Sequence, residues 1–259
     1  VTLSRTFSPP AEAEVARRRL GDPRARANVR WLSALLGLPP RSVQRTLKET
    51  GAFVSVDQEI HDRLRSGGRS NYAQFRAPLE LYTIVRSLRP EHVIETGVSS
   101  GVSSAHLLLA LRRNRRGTLH SIDFPTHQRG AQLGPSESPV SLPPGRSTGW
   151  AIPPSLRHGW DLRIGPSQRL LPELVEDLPS IGLFLHDSLH TSAHLTFELE
   201  TVRPKLAAGA VVLADNTAWT GKAFPRFARR VGSRLHRRGR GDLVGFRFDP
   251  GRVLAPSPP

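Results

Sequence analysis

The residues able to do chemistry stand at four places along this chain. The first is Val93-Ile94-Glu95-Thr96-Gly97-Val98-Ser99-Ser100-Gly101, where a β-branched run ends in an acid and opens a glycine loop ahead of the apolar stretch Ala105 to Leu111. Strand, tight turn and helix start are the parts of a nucleotide pocket at the top of a parallel sheet. The second is Asp123, which closes the run Leu119-His120-Ser121-Ile122 and lies 26 residues beyond Gly97, about where an acid grips a ribose diol. The third is the polar turn Gly165-Pro166-Ser167-Gln168, able to hydrogen-bond an adenine edge. The fourth joins His186-Asp187-Ser188-Leu189-His190 to Asp215-Asn216.

The loop spacing is G-x-x-x-G, not the G-x-G-x-x-G that seats a pyrophosphate on a helix N-terminus. It suits a ligand with an adenosine and no pyrophosphate, of which S-adenosylmethionine is the commonest. Gly97 and Gly101, with Ser99 between them, would let the backbone approach that ligand closely, and Glu95 would meet its ammonium. Asp187, Asp215 and Asn216 supply two carboxylates and an amide oxygen, a hard-oxygen set suited to Mg2+ or another divalent cation. His190 stands three residues beyond Asp187 and is the candidate to take a proton from a hydroxyl nucleophile, with Asp187 beside it. A plainer reading runs alongside: a strand-end Asp followed by Ser or Asn also caps helices and forms turns, and His190 and His194 could be exposed helix residues.

The elements that must position these residues alternate between strand and helix. A helix is expected over Pro78–Leu88, stopped by Arg89-Pro90, with a strand over His92–Thr96. Further strands are expected at Trp160–Ile164, Gly182–Leu185 and Gly209–Ala214, and helices at Leu170–Leu178, Ala193–Lys205 and Phe224–Val231. A basic linker, Arg234–Arg240, then leads to a final edge strand over Leu243–Phe248. Such alternation makes βαβ units and a parallel sheet covered on both faces.

Residues 1–72 read as a helical N-terminal extension with amphipathic stretches at Ala11–Leu20, Asn28–Leu36 and Arg41–Thr50. Trp31 to Lys48 has the outline of a helix-turn-helix, though two packed helices joined by Gly-Leu-Pro-Pro are the favoured reading. Ser66-Gly67-Gly68-Arg69-Ser70 reads as a hinge, and residues 73–250 as the ligand-binding domain. Within it, 124–158 is rich in Pro, Gly and Ser and reads as a lid or substrate loop, with Trp150 and Trp160 as candidate walls. Residues 251–259 read as a flexible tail.

The chain has no cysteine, which excludes disulfides, thiolate zinc sites and cysteine nucleophiles. No apolar run approaches the ~18 residues of a membrane span, and Val1 to Arg19 lacks the apolar core of a signal peptide, so a cytoplasmic protein without a membrane partner is expected. The formal charge is +15, yet Lys48, Lys205 and Lys222 are the only lysines among 37 basic residues. This arginine skew, with many Ala, Gly and Pro, looks like coding bias, though its charge would still favour nucleic acid or acidic surfaces.

Taken in order, Glu95-Thr-Gly97-Val-Ser-Ser-Gly101, Ser-Ile-Asp123, Gly165-Pro-Ser167-Gln168, Leu-Phe-Leu-His-Asp187-Ser-Leu-His190 and Val-Val-Leu-Ala-Asp215-Asn216 resemble the motifs of class I S-adenosylmethionine-dependent methyltransferases. The similarity is to the bacterial small-molecule O-methyltransferase branch, akin to catechol-type enzymes, and spans about residues 72–248. It implies an α/β fold: a Rossmann-like sheet of seven strands, the last antiparallel. It implies Glu95, Gly97 and Ser103 at the methionine end, Asp123 on the ribose, Ser167 and Gln168 near adenine, and a divalent ion on Asp215, Asn216 and an Asp after the fourth strand. With Phe184-Leu185 held in register that Asp falls on His186, and Asp187 matches after a one-residue slip. An acid common in the adenine loop is absent, with Pro166 in its region. The resemblance implies methyl transfer to a small-molecule hydroxyl. The rivals are a nucleic-acid methyltransferase using the arginine surface and a DNA-binding regulator without catalysis; a homodimer is compatible with any of these.

Overall fold

Among the described residues, proline opens three of the first four helices, at the helical position where its missing N–H costs nothing. These are α1 (Pro23–Leu36), α2 (Pro40–Leu47) and α4 (Pro78–Leu88), with α3 at Thr50–Ser66. The structure is a computed structural model that describes residues 23–66, 75–125, 142–143, 145–238 and 243–252. The expected helix at Ala11–Leu20, most of the hinge, residues 126–141 of the expected lid and nearly all of the tail lie outside the described residues.

The chain then alternates as its patterning implied: β1 (His92–Thr96), α5 (Val102–Asn114), β2 (Thr118–Asp123), β3 (Trp160–Ile164), α6 (Ser167–Asp177), β4 (Ile181–His186), α7 (Ser192–Val202), β5 (Leu206–Ala214), α8 (Ala223–Arg230), β6 (His236–Arg237) and β7 (Val244–Arg247). They form one seven-stranded sheet in the order β3-β2-β1-β4-β5-β7-β6. β1 to β5 pair in parallel, and β7 runs antiparallel to both β5 and β6. The order reverses between β1 and β4. A crevice opens at such a reversal, beyond the carboxyl ends of the strands.

Alternate residues of each strand feed two cores. Val93, Leu119, Leu185 and Leu213 face α1, α2, α4 and α5, while Ile94, Ile122, Phe184 and Val212 face α6, α7 and α8. α5 is buried along almost its whole length because the sheet lies on one side of it and α3 and α4 on the other. The N-terminal helices are built into this layer. Leu32, Leu35 and Val43 are fully buried, so the helix-turn-helix outline resolves as two packed helices. Glu80 of α4, also buried, accepts from Asn28 Nδ2 and Arg238 Nε, both at 2.7 Å. One carboxylate thus ties α1 and α4 to the connection between β6 and β7. No helix among the described residues is long and apolar enough to cross a membrane.

Three expectations need correction. Leu243–Phe248 does not form an edge strand: β7 lies inside, and the edge is His236–Arg237, two residues of the expected basic linker. A two-residue strand is too short to show a period. α3 was not expected, since Gly51 and the β-branched Val54 and Val56 obscure its start, although Val56, Ile60 and Leu64 recur at the i, i+4, i+8 spacing of one helix face. The described part of the expected lid is firmly packed. Gly149 N donates to Ser99 O at 2.8 Å and Ala151 N to Ser100 O at 3.0 Å, strapping residues 148–152 onto the loop after β1. Trp150 is buried, and Trp160 packs its ring on Gly149 while its Nε1 donates to Ser121 Oγ at 3.0 Å.

Gly149 sits at φ +72, and a Cβ there would lie 2.3 Å from the Trp160 ring. Gly145 has the same φ with open space around it. In denaturant unfolding, Gly149→Ala should cost about 2–3 kcal/mol, and Gly145→Ala about 1 kcal/mol, the difference reporting the strap contact.

Candidate active site

At the reversal point the loops after β1 and β4 touch. Gly97 has φ +86, and a Cβ on it would stand 2.0 Å from the carbonyl oxygen of Asp187. Asp187 N in turn donates to Thr96 O at 2.9 Å. Gly97 is therefore required by a backbone of the same chain. Gly101 is similar: a Cβ would meet Ile152 at 2.6 Å and Gly149 Cα at 2.9 Å. Its smallness serves the strap, which corrects the expectation that it admits a ligand. Between them Ser99 holds a left-handed φ of 50, and its buried hydroxyl has no partner among the described residues. A strained residue with an orphaned hydroxyl fits a loop that receives a ligand.

Asp123 stands beside this loop. Its Oδ1 accepts from Val98 N at 3.1 Å and its Oδ2 from the Thr148 hydroxyl at 2.7 Å. A carboxylate oxygen can accept two donors, so each keeps one lone pair for a diol. Glu95, by contrast, is fully enclosed. Ser103 Oγ donates to it at 2.5 Å, Ser104 Oγ at 2.6 Å and Ser121 Oγ at 2.9 Å. The carboxyl that was expected to meet an ammonium through ordered water or directly ties β1 to β2 and α5, and Ser103 donates to it. Burial pushes the Glu95 carboxyl up to about 7, against the pull of the three hydroxyls.

The adenine turn opens α6, and sequence reasoning missed what holds it. Glu198 of α7 is fully buried and meets five groups. Ser167 Oγ donates to it at 2.7 Å, Thr96 Oγ1 at 2.8 Å and Ser188 Oγ at 3.1 Å, while His186 Nδ1 lies at 2.7 Å and His194 Nε2 at 2.9 Å. Burial opposes ionisation of Glu198, yet the two histidines and their hydrogen bonds hold it well below the usual carboxylate range. Ser167 thus points its hydroxyl inward, whereas Gln168 is exposed, with its Nε2 against His194 Nδ1 at 3.1 Å.

On the other side of the crevice, Asp187 and Asp215 follow the register pair His186–Ala214, one step further along neighbouring strands. Asp187 stands beside Asp215, while His186 turns to Glu198. Burial first, and then the Asp215 charge, push the Asp187 carboxyl up to about 6, opposed by His190. His190 Nε2 lies 3.5 Å from Asp187 Oδ1, and the His190 ring meets Trp219 edge-on at 5.5 Å between centroids. Trp219 is half exposed, on a turn closed by Trp219 N to Asn216 O at 3.0 Å. Asn216 takes a left-handed φ of 50, which Asn tolerates better than most residues. No group of three or more His, Asp or Glu among the described residues is arranged to hold a metal. What the chain offers a cation is the Asp187–Asp215 pair with Asn216. Two neighbouring carboxylates and an amide oxygen fit a hard ion that keeps some of its own water.

Residues 94–217 match a family model described as a methyltransferase domain. This stretch is similar to a methyltransferase domain, and the seven-stranded sheet with its antiparallel last strand has the class I methyltransferase fold. Solved structures of similar fold include the O-methyltransferase NovP, with a TM-score of 0.53 and 13% identity over 76% of this chain and 99% of that one. Another is the O-methyltransferase from Bacillus cereus in complex with SAH, with a TM-score of 0.50 and 12% identity over 76% and 90% of the two chains. A third is a methyltransferase from Geobacter sulfurreducens, with a TM-score of 0.50 and 16% identity over 75% and 89%. At such identities the likeness is one of fold. No curated protein matches the chain significantly. The methyltransferase domain contains every candidate site residue named from the sequence.

The two buried acids should respond oppositely to pH. Glu198 has a folded value below 4.5, so its stabilisation is complete above that pH and is lost as pH falls below it. Glu95 has a folded value near 7, so a penalty of about 3 kcal/mol grows as pH rises from 4.5 through 7. In melts from about pH 3 to about pH 8, the deficit of Glu198→Gln relative to the parent should stay constant above about pH 5 and shrink as pH falls below it, while Glu95→Gln should gain on the parent as pH rises from 4.5 through 7.

Proposed function

We propose that the methyltransferase domain transfers a methyl group from S-adenosylmethionine to a hydroxyl oxygen of a small molecule. The observation that carries this reading is the pairing of a pinned ribose acid with a proton acceptor across one crevice. Asp123 is fixed against the glycine loop by Val98, and His190 stands beside Asp187 on the opposite side of the strand reversal. That two of the solved proteins of the same fold are O-methyltransferases supports it.

When bound, S-adenosylmethionine supplies an electrophilic methyl on a sulfonium. The chain's residues then have three tasks: holding, aligning and taking a proton. Asp123 accepts the ribose hydroxyls on its two remaining lone pairs. Gly97 and Ser99 line the methionine end, with the Ser99 hydroxyl available as a polar contact. Gln168 faces the adenine edge. Glu95, Gly101 and Ser103 act one layer back, by shaping the loop. His190 takes the acceptor's proton, and ionised Asp187 favours the imidazolium that results. The exposed face of Trp219 forms a wall for the acceptor beside His190. Asp187, Asp215 and Asn216 would hold a divalent cation, which when bound would orient the acceptor hydroxyl and lower its pKa.

Calorimetric titration with S-adenosylhomocysteine tests the core of this reading. The parent should bind, and Asp123→Ala should bind about 10- to 100-fold more weakly, the range for hydrogen bonds to a charged group. Absence of binding at millimolar ligand would overturn the reading. Methyl transfer should climb as pH rises through about 6, where Asp187 ionises. The Asp187→Asn variant should lose both rate and that inflection. EDTA should abolish transfer as fully as Asp215→Ala; full activity after both treatments would remove the cation.

A further inference from the structure

The carboxamide of an exposed glutamine can turn either its oxygen or its NH2 outward, and the two faces recognise opposite ligands. In this chain the choice at Gln168 is made by groups behind it. Glu198 is enclosed and held ionised by its partners, so it can only accept hydrogen bonds. His194 Nε2, at 2.9 Å from Glu198 Oε1, must therefore carry its ring proton on that nitrogen. This leaves Nδ1 as a bare acceptor, and Gln168 Nε2 lies 3.1 Å from it. Gln168 spends its NH2 there, and its Oε1 remains for whatever lies outside.

The chain of donors is rigidly held at each step. Ser167 Oγ also donates to Glu198 and lies 3.1 Å from His194 Nε2, so toward that nitrogen it can only accept, and it too favours the ring proton there. His194 is in the first turn of α7, where its own backbone N–H is capped by Thr191 Oγ1 at 3.2 Å. His194 is 8% exposed, which keeps water from supplying an alternative partner at Nδ1.

We propose that His194 and Glu198 are positioning residues that set base specificity by fixing the polarity of Gln168. This rests on the reading above that Gln168 faces the nucleobase. An outward Oε1 accepts from the exocyclic amine of a 6-aminopurine. Against a 6-oxopurine it would face a second carbonyl oxygen, an unpaired contact between like dipoles. A site with polar groups arranged in this way rejects the mismatched ligand far more strongly than an apolar wall does.

The test compares S-adenosylhomocysteine with S-inosylhomocysteine, its 6-oxo analogue, by calorimetry on the full chain. The parent should prefer the amino ligand by on the order of 10- to 100-fold. His194→Leu should bring the two affinities within about threefold, Gln168→Leu should do the same, and the double variant should lose no more than either, as expected of residues acting in series. If His194→Leu weakens both ligands equally and keeps their ratio, His194 is structural only and the proposal falls. If the parent binds both ligands alike, the proposal falls while the cofactor reading stands; if it binds neither, both fall. A readout that needs neither ligand nor variant is the ring-nitrogen NMR signature of His194 in the free protein, where a proton on Nδ1 instead of Nε2 would overturn the relay.

Discussion

A carboxylate closed off from water lies beneath the mouth of the sheet, and the arrangement of that mouth depends on it. Removing an ion from water costs several kcal/mol even after relaxation, and the cost is recovered only where good geometry supplies a full set of partners. Glu198 has such a set, but its partners come from different places: Thr96 at the end of β1, His186 and Ser188 at the end of β4, Ser167 at the start of α6, and His194 from its own helix. The charge is satisfied only when these ends converge. Gly97, Asp187 and Gln168, each one residue from a Glu198 partner, are fixed as a consequence. The buried charge thus specifies the relative placement of loops that local sequence leaves independent.

Glu95 on β1 and Glu198 on α7 are both fully enclosed acids, yet their ionisation is driven in opposite directions. Glu95 has three serine hydroxyls as donors, and burial still wins. Glu198 has three hydroxyls and two histidines, and there the added positive charge and its hydrogen bonds win. Hydroxyl bonds alone are worth about 1 kcal/mol each net, too little against the desolvation of a carboxylate. His186 contributes both a bond and a charge, and His194 a further bond. Near neutral pH Glu95 is poised to hold or release a proton one layer behind the ligand loop, whereas Glu198 remains an anion.

The strand–helix alternation, the reversal point and the strand-end acids were legible because each is written in a few consecutive residues. Pro78–Leu88, His92–Thr96 and Trp160–Ile164 fall where local patterning put them. Glu198 was not legible as a site because it belongs to no motif; its partners are scattered over a hundred residues. A weaker signal was present. On α7, His194, Leu195, Glu198, Leu199 and Val202 share the buried face, and an acid set into an apolar helical stripe needs a buried partner. The role of Gly101 was misread for a related reason. A glycine says that something comes close, and only the fold says that it is Ile152 and Gly149 of the strap rather than a ligand.

The strap also explains how an ordinary aspartate could serve as the ribose receptor proposed above. Left alone at a strand end, Asp123 would sample several rotamers, and a diol would have to immobilise it, at about 0.5–1.5 kcal/mol for a side chain ordered on binding. Val98 N–H and the Thr148 hydroxyl grip one lone pair of each oxygen from within the chain. The remaining two lone pairs then point in directions set by the glycine loop on one side and the strap on the other. That order is established during folding, through the Gly149–Ser99 and Ala151–Ser100 backbone bonds, so the binding step does not bear it. A segment whose composition reads as loose therefore acts as the brace for the most exacting contact in the crevice.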